Sequence, residues 1–203
     1  MDNRQSKLII AACFIISAMS VGYVLWGRAQ KNPVQTNFPP PFAAATEPSG
    51  NVVTSPDGKW TLTSKETKHK DSTSYSFKAM NTKDGTQKEI YTAELSTGET
   101  LTIPLNTFSP DDKYVFLMQT ATSGSAYFAL TVSGDPIAKD AQTIDFSSLF
   151  AAKYSNYKIT DATGWGGMNL IVFNTDKATG GQGPSFWFDV PSHSIIQLSN
   201  RFN

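Results

Sequence analysis

Thr54-Ser-Pro-Asp-Gly-Lys-Trp60 is followed 54 residues later by Phe108-Ser-Pro-Asp-Asp-Lys-Tyr114, and this repeated turn decides the fold. Proline presets φ for a turn, aspartate accepts backbone hydrogen bonds, and glycine takes φ > 0 without a steric cost. An apolar stretch follows each turn. The two copies therefore predict two equivalent strands, which begin at Trp60 and Tyr114.

A third copy is expected another 54 residues on, at Thr163-Gly-Trp-Gly-Gly-Met168, which has lost the proline and the aspartate. Met168 would then match Trp60 and Tyr114. Each copy continues with further strands, and three of these are expected to be equivalent: Glu89–Leu95, Ala126–Val132 and Phe186–Val190. Several strands in a repeat of about 40–55 residues suggest propeller blades.

The rest of the domain is predicted to consist mainly of β-strands. Short runs rich in β-branched and aromatic residues alternate there with residues that favour turns. A single short helix is expected around Phe146–Tyr154, with a serine as its N-cap. The strand predictions are Trp60–Thr63, Ser74–Met80, Glu89–Leu95, Tyr114–Met118, Ala126–Val132, Leu170–Phe173 and Ser185–Val190.

The Ser-Pro-Asp-Gly/Asp-Lys-Trp/Tyr turn with its apolar strand resembles the TolB-like, or WD40-like, β-propeller repeat. The resemblance covers most of residues 52–199 in outline, with the signature in two copies, and implies a protein-binding propeller. It leaves room for about three blades, whereas propellers typically have four to eight. We therefore expect an all-β, propeller-like domain of repeated antiparallel sheets with an incomplete ring. A propeller fragment, an open stack of sheets and a half that pairs with another chain all remain open.

Leu8–Trp26 is a run of nineteen residues without a charge. A helix of that length covers roughly 28 Å, close to the thickness of a bilayer core. The expected order is a cytoplasmic tail (1–7), a transmembrane helix in contact with lipid (8–27), a proline-rich linker (28–51) and an extracytoplasmic domain (52–203). The alternatives are a signal peptide cleaved after Ala29 and a lipidated Cys13.

Composition restricts the chemistry of the domain. Cys13 is the single cysteine, so residues 52–203 contain no thiol. From Asn32 onward 13 basic and 16 acidic residues give a net charge of −3, which argues against nucleic acid as a partner. Only His69 and His193 could take part in a histidine site, and no metal site, cofactor or catalytic motif is expected. The domain is accordingly interpreted as non-catalytic.

The expected contact surface is the glycine-rich segment Asn174–Ser185 with two nearby tryptophans. Loops on a rigid β scaffold often carry binding, and aromatic residues anchor interfaces. In the alternative interpretation both tryptophans are core residues and the segment is only a hairpin. The candidate binding residues are Trp165, Thr179, Gly180, Gly181, Gln182 and Trp187.

These observations predict a membrane-anchored binding or scaffold module of the cell envelope, periplasmic or at the cell surface. Its partner would be an envelope protein or another copy of itself. A structural cell-surface or appendage component is the second hypothesis. A hydrolase or carbohydrate-active enzyme is the third, and a pair of converging carboxylates would favour it.

Overall fold

Residues 52–202 are the part of the chain that the computed structural model describes, and they form mostly β-structure with one short helix. The predicted cytoplasmic tail (1–7), transmembrane helix (8–27) and linker (28–51) lie outside these residues. Within residues 52–202 no helix is long and apolar enough to cross a bilayer.

The strands form three antiparallel sheets of four strands each, and neighbouring strands in the chain are neighbours in each sheet. Sheet 1 contains β1 Val52–Thr54, β2 Trp60–Lys68, β3 Ser72–Asn81 and β4 Gln87–Ser96. Sheet 2 contains β5 Thr100–Thr102, β6 Tyr114–Ala121, β7 Gly124–Thr131 and β8 Ile144–Asp145. Sheet 3 contains β9 Tyr157–Trp165, β10 Leu170–Lys177, β11 Phe186–Asp189 and β12 Ser194–Gln197.

The three sheets repeat the same backbone bonds, so the predicted repetition of sheets is confirmed. Trp60, Tyr114 and Leu170 each accept a backbone hydrogen bond that closes the turn before them. The donors are Ser55 at 2.8 Å, Ser109 at 2.9 Å and Gly166 at 2.8 Å, respectively.

The predicted third copy is displaced. The residue equivalent to Ser55 and Ser109 is Gly166, not Thr163, and Leu170 rather than Met168 matches the motif aromatics. The reason is that Thr163 is still in β9, while Met168 sits 64% exposed in a shorter turn. One of the three predicted equivalent strands is also wrong, because Glu89–Leu95 lies in the fourth strand of its sheet and the other two lie in third strands.

Two apolar clusters hold the sheets together, and sheet 2 contributes to both. Val115 and Leu117 of β6 join a cluster with sheet 1, while Phe116 between them joins a cluster with sheet 3. Successive strand residues point to opposite faces, so β6 is buried on both sides. Sheets 1 and 3 each keep one face away from sheet 2.

The helix α1 runs from Phe146 to Lys153 and closes the second cluster with Phe146 and Phe150, which are 0% and 1% exposed. Its N-cap is Asp145, whose carboxylate accepts the Ser148 backbone N–H at 2.9 Å. The prediction of a helix here is confirmed, and that of a serine cap is wrong. Asp145 occupies the cap because it is the last residue of β8, immediately before the first turn of the helix.

Candidate functional site

An apolar cleft of about 530 Å³ lies where the three repeated turns come together. It is bordered by residues from all three sheets and by the C-terminal segment. The lining residues are Pro56, Asn106, Phe108, Pro110, Thr163, Gly164, Trp165, Gly166, Val172, Trp187 and Phe202. We call it the turn cleft, and its lining includes the aromatic side chains of Phe108, Trp165, Trp187 and Phe202.

Trp165, the last residue of β9, anchors the side of the cleft that faces sheet 2. Its indole N–H donates to the Thr107 carbonyl at 3.0 Å, and its ring stacks on Tyr114 with centroids 6.3 Å apart. Trp165 is half-buried. It is therefore a fixed aromatic wall that still presents surface to the cleft.

Trp187 reaches the cleft from β11, on the face of sheet 3 away from sheet 2. Its indole nitrogen is buried and has no hydrogen-bond partner among the described residues. Gly166 lies against it, since a Cβ on Gly166 would stand 3.1 Å from that nitrogen and 3.0 Å from Val172. A buried donor without a partner costs about 1–3 kcal/mol, so Trp187 carries a local energetic cost at the edge of the cleft.

The first two turns are held by identical side-chain bonds. The Ser55 hydroxyl donates to Asp57 Oδ1 at 2.9 Å and accepts the Trp60 N–H at 3.0 Å. In the second copy the Ser109 hydroxyl donates to Asp111 at 2.8 Å and accepts the Tyr114 N–H at 3.0 Å. Both serines are buried, so the motif places Pro56 and Pro110 rigidly beside the cleft.

The two turns also bring two carboxyl groups together. Asp112 takes the left-handed position of its turn at φ 56°, as Gly58 does at 75° in the first copy, and Asp57 is near enough to act on its pKa. Burial, followed by the neighbouring Asp57, raises the pKa of Asp112 to about 6. Hydrogen bonds from Lys59 hold the pKa of Asp57 far below its usual range.

The predicted site residues separate into two places. Trp165 and Trp187 both line the turn cleft, whereas Thr179–Gln182 lie in the β10–β11 loop at the opposite end of sheet 3. The eight residues of β10 separate the two ends by about 23 Å. A contribution of Thr179–Gln182 to binding stays a prediction, but they cannot act together with the tryptophans on one small contact.

The glycine-rich segment is shorter and more ordered than its composition suggests. Asn174–Lys177 belong to β10, and Asn174 and Thr175 are buried. The Thr175 hydroxyl donates to the Pro184 carbonyl at 2.7 Å. A Cβ on Gly183 would lie 2.5 Å from that hydroxyl and 2.9 Å from Tyr157, so this glycine is needed for close packing.

The outward faces of sheets 1 and 3 differ in polarity. On sheet 3, Val172, Trp187 and Ile196 are cross-strand neighbours and form an apolar row beside the cleft. On sheet 1 the outward face is polar, with Ser76 donating to Glu89 at 2.7 Å on neighbouring strands. Within residues 52–202, sheet 3 is therefore the outer sheet with the more apolar outward face.

The C-terminal segment crosses the far half of that face of sheet 3. Arg201 donates to the Thr175 carbonyl at 2.7 Å and to Asp176 at 3.0 Å. Asn174 donates to the Phe202 carbonyl at 3.0 Å. These bonds place Phe202, half exposed, at the edge of the turn cleft.

Neither a cluster of metal ligands nor a similar protein assigns a function to the turn cleft. Within residues 52–202 no three histidine, cysteine, aspartate or glutamate side chains converge on a point where they could hold a metal ion. No protein-family model matches the sequence. No curated protein matches it either.

Sequence reasoning missed most of the cleft. Asn106, Phe108, Pro110 and Phe202 gave no binding signal, because their role depends on which sheets lie side by side. One feature of the sequence could have indicated part of the cleft. Pro56 and Pro110 occupy the same position in the two copies of the motif turn. Equivalent turns of neighbouring sheets lie at the same end, so Pro56 and Pro110 could have been placed together.

Proposed function

We propose that this chain is a membrane-anchored, extracytoplasmic binding or scaffold module of the cell envelope that acts through protein–protein contacts in the turn cleft. The supporting observation is the cleft itself, since aromatic side chains from separate sheets converge on one apolar depression. Aromatic anchors in such depressions dominate the energy of protein interfaces. The wall is fixed by hydrogen bonds, which lowers the ordering cost of binding.

The arrangement of the three sheets supports the proposal that the domain is propeller-like. Each sheet is a four-stranded antiparallel meander, and consecutive sheets pack face to face, as propeller blades do. Such a scaffold presents the turns of successive sheets on one side. We propose that the TolB-like or WD40-like resemblance of the motif reflects this arrangement.

Photo-crosslinking tests the proposed contact. A benzophenone amino acid is placed at Thr163, an exposed cleft residue, and in a matched variant at Thr122, an exposed residue in the β6–β7 turn at the other end of sheet 2. Irradiation of intact membranes that contain the full chain should give a discrete protein adduct from 163 and none from 122. Equal adducts from both positions, or none from 163, would contradict the proposal.

Anchoring by residues 8–27 is tested separately. The intact chain should stay in the membrane pellet after carbonate washing, and added protease should remove the domain only from the non-cytoplasmic side. A mature N-terminus near Gln30, or release of the domain into the supernatant, would refute the anchor.

Self-association as a structural surface component is the alternative that a specific observation favours. Ile196 on the outward face of sheet 3 is 45% exposed and Met168 in the turn before β10 is 64% exposed, so apolar surface is open to a second copy. In that case the adduct from Thr163 should have twice the mass of the chain. An adduct of any other mass indicates a different protein.

The hydrolase alternative rests on the carboxyl pair Asp57 and Asp112. Glycosidases hold their two carboxyl groups roughly 5 to 9.5 Å apart to admit a sugar. The Asp57 carboxylate is already engaged by the Ser55 hydroxyl and the Lys59 backbone N–H. Asp57 is therefore better suited to holding its turn than to cleaving a glycosidic bond.

A further inference from the structure

The lining of the turn cleft carries no charge. Among the described residues, none that borders the cleft has an ionisable side chain. Apart from Asn106 and Thr163, the lining consists of aromatic residues, proline, glycine and one valine. A charged group that entered such a surface would lose its hydration without gaining an ion pair, which is unfavourable. The cleft therefore suits an uncharged segment of a partner.

The polar groups at the cleft are already bonded to one another. Asn106 donates from Nδ2 to the Thr163 carbonyl at 3.3 Å, and the Thr163 hydroxyl donates to the Val172 carbonyl at 3.3 Å. The Thr107 carbonyl accepts the indole N–H of Trp165 at 3.0 Å. A peptide N–H placed against these carbonyls would have to share an acceptor that is in use. Because a buried N–H without an acceptor weakens binding, the cleft also favours a segment with few N–H groups.

Proline meets both conditions. It is uncharged and has no backbone N–H, so a run of prolines brings carbonyl acceptors into the cleft and no donor. Such a run favours the extended polyproline II conformation, which loses little conformational entropy on binding and docks in aromatic-lined grooves. Asn106 is exposed, and its amide has a second N–H besides the one that bonds to Thr163. That second N–H can donate to a carbonyl of the bound segment.

We propose that the turn cleft binds an uncharged, proline-rich segment of a partner protein in the polyproline II conformation, and that Asn106 donates to one of its carbonyl groups. Trp165 and Phe202, which are each partly exposed, supply aromatic surface for the proline rings. This inference rests on the proposed function, because it names the class of segment that the protein–protein contact takes.

A fluorescently labelled hexaproline peptide tests the class of ligand. Its binding to the full chain in detergent micelles is measured by fluorescence anisotropy, with empty micelles as the blank. Hexaproline should bind saturably, and hexaalanine with the same label should bind at least about 10-fold more weakly, since it adds N–H groups and conformational freedom. N-methylated hexaalanine again lacks N–H groups and should recover most of the lost affinity. Hexaproline that binds no better than hexaalanine, or N-methylation that recovers nothing, overturns the inference.

Variants of the full chain test where the peptide binds. Hexaproline should crosslink to benzophenone at Thr163 and not at Thr122. Asn106→Asp tolerates the left-handed φ of 54° but places a negative charge in the cleft and removes the amide donor, so the affinity for hexaproline should fall by at least about 10-fold. Asn156→Asp, at an exposed position before β9 and at the other end of sheet 3, should leave the affinity unchanged. Equal crosslinks at both positions, or equal affinities in the two aspartate variants, overturn the inference.

The two crosslinking experiments separate this inference from the proposed function. If hexaproline crosslinks at Thr163 but intact membranes give no protein adduct there, the proposed function fails and the class of ligand stands. If membranes give a discrete adduct at Thr163 but hexaproline does not bind, the class of ligand is wrong and the proposed function stands.

Discussion

Replacing Ser109 with alanine tests whether the buried motif hydroxyl holds the turn that supports the cleft. Ser109 is fully buried, and its hydroxyl makes one bond to Asp111 and accepts one from the Tyr114 N–H. A typical net hydrogen bond contributes about 0.5–1.5 kcal/mol, and a buried donor left unpaired costs about 1–3 kcal/mol. We expect the free energy of unfolding to fall by about 2 kcal/mol.

Thermal and urea unfolding of the full chain in detergent, followed by circular dichroism, measures this loss. For a domain of this size about 2 kcal/mol corresponds to a fall in Tm of about 4–8 °C. Ser55→Ala is an internal replicate, because Ser55 makes the equivalent bonds and is 4% exposed. Ser125→Ala, on an exposed position of β7, should stay within about 0.5 kcal/mol. If both motif variants lose no more than the Ser125 control, the hydroxyls do not hold the turns and the reasoning is wrong.

The remaining predictions concern packing, the C-terminal segment, the loop and pH. Gly183→Ala should destabilise the domain by about 1–3 kcal/mol through its Cβ clash, whereas Gly167→Ala, with its nearest neighbour at 3.7 Å, should be nearly neutral in urea unfolding. Arg201→Ala should cost about 1–3 kcal/mol and make the C-terminal segment sensitive to carboxypeptidase; unchanged cleavage would show that other contacts hold this segment. Replacing Thr179 and Gln182 with other polar residues, while Gly180 and Gly181 keep their positive φ, should leave Tm almost unchanged, because both side chains are exposed, and a fall of several degrees would contradict this. Asp112 has its folded pKa above its unfolded value, so it adds stability as the pH falls from above 6 toward about 4. The difference in unfolding free energy between wild type and Asp112→Asn should therefore change in favour of the wild type over that range. A constant difference would refute the raised pKa of Asp112 in the folded protein.

The sequence predicted the β class and its repetition because two copies of the turn carry their chemistry in one short segment. Proline, aspartate and a fourth residue in the left-handed conformation form the turn through local interactions. The turn could therefore be predicted without knowledge of the rest of the chain. The third copy was placed three residues early because Gly166 follows Ser109 by 57 residues, whereas Ser109 follows Ser55 by 54. The turn Gly166–Leu170 lacks the proline and the aspartate that would have marked its position.

The strand β9 was not predicted because its residues do not alternate regularly. The register of β9 against β10 shifts at two points, which interrupts the alternation of buried and exposed positions. The cleft could not be predicted in full for a different reason. Pro56, Phe108 and Trp165 are about fifty residues apart in the chain, and only the stacking of the three sheets brings them together.

The burial of sheet 2 on both faces has a consequence for how the domain opens. Each outer sheet can loosen by losing one interface, whereas the middle sheet can be exposed only when both interfaces are lost. Stacked repeats of this kind lose structure from their ends inward. Amide protons of Val115, Phe116 and Leu117 should therefore exchange with solvent only through global unfolding, while those of β1 and β12 exchange through local fraying. The most slowly exchanging segment of the molecule should then be a strand that carries no binding residue and follows directly from the motif turn that borders the cleft.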